Sequence, residues 1–106
     1  MQEVMSKALK EKKVIFIDCF TTWCGPCKKM TAEVFTDSSV ATYFNKQFVN
    51  LKLDMEKGEG PEMAAKYGVY EYPTLLFVND KGEVLLRLIG YMPASLLLRE
   101  AKTVIK

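Results

Sequence analysis

The sequence contains no histidine. That absence excludes a histidine general base, a histidine metal ligand and a histidine pH switch. No apolar run approaches the ~18 residues needed to span a bilayer. No charged n-region, apolar h-region and small-residue cleavage site can be read at the start. The expectation is therefore a cytoplasmic protein, with the periplasm as the alternative if a signal segment has been removed. Neither charge sign dominates. Fifteen basic and 13 acidic side chains leave a net charge of +2, too mild for a nucleic-acid surface. The basic run Lys10, Lys12, Lys13 is interrupted by Glu11 and falls at an expected helix end, where positive charge suits the helix dipole. Cysteine is scarce and odd in number, three in all, which argues against a disulfide framework. No repeat or low-complexity tract is present.

What remains is enough for one domain, residues 1–106, with 49% apolar residues to build a core. Met1, Val4, Met5, Ala8 and Leu9 recur at helical spacing, predicting a helix over 2–12. "VIFIDCF", Val14 to Phe20, reads as a strand buried on both faces. A turn at Thr21–Trp23 leads into a helix near Cys24, continued on its inner face by Met30 and Val34. "TDSS" offers capping residues for a further helix to about Asn45. "FVNLKLD" alternates as a second strand, and "EKGEGPE" reads as a surface loop. Pro61 opens a short helix through Tyr67. "PTLLFVN" and "EVLLRLIG" form a hairpin around "NDKG". Pro93 opens a last helix with Leu97, Ala101, Val104 and Ile105 inside. Strands separated by helices predict a four-stranded, mostly parallel mixed sheet with a C-terminal antiparallel hairpin and helices on both faces.

The chemistry concentrates in "TTWCGPCKKM", Thr21 to Met30. A CxxC pair can hold a metal, form a bridge or exchange electrons. Structural zinc takes four ligands; one CxxC supplies two, and neither histidine nor a second pair follows. Asp18 is a carboxylate inside a strand of valine, isoleucine and phenylalanine. Burial there costs free energy and raises its pKa. Cys19 follows it, points to the opposite face and reads as core. Phe16, Phe20, Phe44, Phe48 and Phe77 also read as core, and none calls for a cofactor.

The element order, "WCGPC" after the first strand, "YPT" before the third and Gly90 ending the fourth together resemble the thioredoxin family over nearly the whole chain. The middle, "AEVFTDSSVATYF", is similar to thioredoxin-like domains of bacterial envelope proteins, such as the C-terminal domain of the thiol:disulfide interchange reductase. The resemblance implies the thioredoxin fold and a protein-disulfide reductase without a cofactor. It acts on disulfide-bearing proteins, takes electrons from an upstream reductase and works as a monomer. Three departures stand out: Asn50 where the family often has a buried lysine, Tyr72 before the proline, and a slightly longer 55–65 segment. Gly-Pro between the cysteines resembles the reducing members, near about −270 mV in thioredoxin against about −120 mV for a strong oxidant. A disulfide isomerase or oxidant, or an interaction domain retaining the motif, are the alternatives.

In that frame Cys24 is the exposed attacking thiolate. A free thiol has a pKa of about 8.5, and unpaired N–H groups at a helix start lower it. Cys27, one turn on, lies on the same face as the resolving thiol. Gly25 permits a tight entry, Pro26 fits a first turn, and Lys28 continues the motif. Trp23 covers the site and offers an apolar platform. Asp18 is implied beneath Cys27, as its proton-transfer partner. Tyr72-Pro73 is implied to be cis, with the proline ring against the CxxC, the Tyr72 backbone open to an extended peptide, and Gly90 bordering the groove.

Overall fold

The computed structural model describes residues 1–105. The order is α1 (Gln2–Glu11), β1 (Val14–Phe20), α2 (Gly25–Glu33), α3 (Ser38–Gln47), β2 (Phe48–Asp54), α4 (Gly60–Tyr67), β3 (Thr74–Val78), β4 (Val84–Ile89) and α5 (Ala94–Lys102). Every element matches the sequence expectation in type and order, with boundaries moved by a few residues. α1 stops at Glu11 because Lys12 turns left-handed, at φ 57°, and its N–H closes on the Ala8 carbonyl. α3 is capped by Asp37, whose Oδ1 accepts from the Ser39 N–H at 2.9 Å and the Val40 N–H at 3.2 Å. α4 begins one residue before Pro61. Gly60 lies against the backbone of Asp54 and Met55, where a Cβ has no room.

The sheet runs β2-β1-β3-β4. β1 pairs parallel with β2, from Val14↔Phe48 to Phe20↔Asp54. It pairs antiparallel with β3, from Ile15↔Val78 to Cys19↔Thr74, and β3 pairs antiparallel with β4. The sheet is mixed as expected, but one pair, not most, is parallel. The link after β2, residues 55–73, does not bring the chain back to the start of the sheet. β3 sets out from the end where β1 finishes, and runs against it.

Alternation along β1 divides the core. Ile15, Ile17 and Cys19 pack with Ala8, Val49, Leu53, Met63 and Val69 on one face. Phe16 packs on the other with Met30, Val34, Phe44, Phe48, Phe77 and Leu97. Helices cover both faces, and α2 lies on the Phe16 side. Four of the five expected core phenylalanines are buried; Phe20, at the open end of β1, is half-buried. Leu9 is corrected outright: it is 63% exposed. It stands ~100° round the helix from Ala8, past the edge of the buried stripe. Val104 and Ile105 pack on the core from beyond the end of α5.

Candidate active site

The site forms where β1 ends and α2 begins. Thr21–Trp23 make the turn, and the Cys24 N–H reaches the Thr21 carbonyl at 3.4 Å. Cys24 is then the N-cap of α2, with an extended backbone, and its Sγ accepts the Cys27 N–H at 3.1 Å. A sulfur thus takes the place usually held by a serine or aspartate oxygen. The donors at a helix start favour negative charge, so the thiolate is the form of Cys24 best held there. Cys24 and Cys27 are joined as a disulfide with Cα atoms 5.3 Å apart.

Cys24 was expected to be exposed. In this disulfide form it is 4% exposed, against 6% for Cys27. Like Gly25 and Pro26 of the motif, Trp23 is exposed, at 64%. Its Nε1 donates to Glu56 Oε1 at 2.9 Å, and its ring meets Tyr72 edge-on at 5.8 Å. Pro26 sits in the first turn, as expected. Gly25 does not serve a tight entry: a Cβ there would meet nothing within 4 Å. Lys28 is exposed and lines a cavity beside Cys27.

Tyr72-Pro73 is cis. The Pro73 carbonyl accepts the Gly90 N–H at 2.9 Å, and Gly90 takes φ 91°, a conformation that favours glycine. Among the described residues, neither the N–H nor the C=O of Tyr72 has a backbone partner.

Asp18 is 6% exposed. Burial pushes its carboxyl up from 3.8 to about 6, and the Lys52 ammonium pulls the other way. Lys52 lies opposite Asp18 in the β1–β2 register, and its Nζ donates to Thr31 Oγ1 at 3.0 Å. A cavity of about 300 Å³ adjoins Asp18, and one of about 330 Å³ adjoins Cys27; Thr31 and Lys52 line both. The Thr31–Lys52 hydrogen bond therefore borders both cavities. Asn50 donates instead to the Phe44 carbonyl at 3.0 Å. Cys19 is sealed in the opposite core. Burial first, then the Asp18 charge, push its thiol up to about 12, while Arg87 opposes. It is inert as a nucleophile near neutrality.

A family model for a thioredoxin-like domain matches residues 1–105. The chain belongs to the thioredoxin-like family. It is 35% identical to a thioredoxin of Streptomyces clavuligerus over 91 residues, which is 86% of this chain and 78% of that protein. The solution structure of a candidate disulphide-isomerase from Bacteroides thetaiotaomicron superposes with a TM-score of 0.86 at 56% identity, covering 100% of this chain and 88% of the other. The oxidised C-terminal domain of Neisseria meningitidis DsbD shares the fold, with a TM-score of 0.78 at 23% identity over 96% of this chain and 90% of that one. The thioredoxin-like chain is thus of a thiol:disulfide oxidoreductase family, with its cysteine pair at disulfide distance. Lys52, Thr31 and Glu56 are the site neighbours that sequence reasoning missed. The alternation of "FVNLKLD" put Asn50 and Lys52 on one face, yet only the strand register puts Lys52 opposite Asp18.

Proposed function

We propose that this protein reduces disulfides in other proteins, with Cys24 as nucleophile and Cys27 as resolving thiol. The Cys24 thiolate attacks a substrate disulfide, forms a mixed disulfide and expels the first substrate sulfur as a thiolate. Cys27 then gives its proton to Asp18, and its sulfur attacks Cys24 Sγ. The Cys24–substrate bond breaks, and the second substrate sulfur leaves as a thiolate. The substrate gains two electrons, and the pair becomes the Cys24–Cys27 disulfide. An upstream dithiol donor returns it to the reduced form. Trp23, Tyr72, Pro73 and Gly90 form the groove for an extended peptide, which bonds to the unpaired Tyr72 backbone.

The observation that carries this proposal is the hydrogen bond from the Cys27 N–H to Cys24 Sγ at a helix start. It supports Cys24, rather than Cys27, as the sulfur that the helix start would hold as an anion once the disulfide opens. Insulin reduction with a dithiol donor is the test. The wild type should speed precipitation of the insulin chains, and Cys24→Ser should abolish the gain. No gain by the wild type rejects the reductase assignment. Isomerase activity is the second reading, favoured by the 56% identity to the candidate disulphide-isomerase. It would appear as recovery of activity from scrambled ribonuclease, retained by Cys27→Ser.

A further inference from the structure

Thr21 is 1% exposed, and its Oγ1 is shut off from water without a hydrogen-bond partner among the described residues. Leaving a hydroxyl unpaired in the interior is costly, and such groups call for an explanation. A protein group that moves can supply the partner.

Thr21 and Cys27 line the same cavity of about 330 Å³, with Lys28, Thr31 and Lys52. Of the other polar groups that line it, Thr31 Oγ1 is engaged with Lys52, the Cys27 N–H with Cys24 Sγ, and Thr22 and Lys28 are exposed. Cys27 Sγ differs from these because its position depends on redox state. The disulfide pins it toward Cys24. When that bond opens, the side chain is free to rotate.

We propose that Thr21 Oγ1 donates a hydrogen bond to the Cys27 sulfur once the disulfide opens, and so stabilises the dithiol form. The proposal rests on the reading that this pair cycles between disulfide and dithiol. In the resolving step the Cys27 proton leaves for Asp18 and negative charge grows on Cys27 Sγ, where the Thr21 O–H can meet it. The same sulfur then bonds to Cys24 and releases the hydroxyl. The hydroxyl thus weights the equilibrium through one difference: it is unpaired in the disulfide and paired in the dithiol.

Thr21→Val keeps the shape and removes the hydroxyl; Thr21→Ser keeps the hydroxyl. Each variant and the wild type are equilibrated with dithiothreitol buffers, and thiols are trapped by alkylation. Thr21→Val should be about tenfold harder to reduce, a potential about 30 mV more negative. Thr21→Ser should stay near the wild type. In a Cys24→Ser background, Thr21→Val should also raise the pH at which Cys27 becomes alkylatable, and Thr21→Ser should not. An unchanged or less negative potential for Thr21→Val overturns the proposal, as does an equal shift for both variants. If Thr21→Val fails to fold, Thr21→Ala takes its place with the same expected sign. No protein substrate enters this measurement, so a failed insulin assay leaves it standing. An unchanged potential in an insulin-active protein overturns this inference alone.

Discussion

Replacing Asp18 by asparagine should stabilise the protein above pH 6 and slightly destabilise it near pH 3. The carboxyl is 6% exposed, and its pKa is raised from 3.8 to about 6, chiefly by burial. The folded chain therefore holds a proton that the unfolded chain releases between those two values. Where the folded state binds more protons, stability falls as pH rises. The benefit is complete below 3.8 and gone once pH passes about 6. Each pH unit of displacement is worth about 1.4 kcal/mol, so the ionised carboxylate costs the native state roughly 3 kcal/mol at pH 8. Asparagine removes that cost but brings two N–H donors into a site lined by Phe16 and Phe35, which takes back part of the gain. The expected net gain is about 2 kcal/mol at pH 8, turning into a net loss of about 1 kcal/mol near pH 3, where the wild-type carboxyl is protonated and only the asparagine penalty remains. Urea unfolding of both disulfide forms across this pH range measures it. A difference independent of pH, or an Asp18→Asn protein weaker than wild type at pH 8, would refute the assignment of Asp18 as a desolvated acid. Turnover should fall in the same variant, since Cys27 loses its proton acceptor.

How far the sequence alone could reach is clear from the neighbours of this residue. Asp18 among valine, isoleucine and phenylalanine announces its own burial, because strand alternation and composition are local. "WCGPC" between a strand and a helix is also local, and it placed both cysteines correctly at the start of α2. The contacts that tune them are not local. Lys52 faces Asp18 only through the β1–β2 register, and Glu56 reaches Trp23 across 33 residues of chain. The antiparallel run of β3 depends on where the chain re-enters the sheet after α4, which no hydrophobic period encodes. Leu9 misled because Val4, Ala8 and Leu9 satisfy an i, i+4, i+5 stripe wider than the face that α1 presents to the sheet. The unpaired Thr21 hydroxyl had no signal in the sequence, since threonine in a turn is ordinarily solvated.

Lys52→Met should raise the pH at which Asp18 titrates, because it removes the cation that draws that carboxyl down. The move should be modest, since Lys52 is exposed and its field is screened; aspartate carboxyl NMR would read it, and a downward move would remove Lys52 from the site. The two cysteines should separate in a trapping experiment. Cys27→Ser keeps the sulfur that caps α2 and accepts the residue 27 N–H, so it should still attack substrates and then stall, accumulating mixed disulfides on non-reducing gels. Cys24→Ser keeps only a thiol buried one turn inward, without the helix-start donors that favour a thiolate, and should trap almost nothing. A structural bridge or a shared metal would make the cysteines equivalent, each lost residue removing one link or one ligand. Equal trapping by the two variants, or trapping by Cys24→Ser alone, would overturn the roles assigned to this pair.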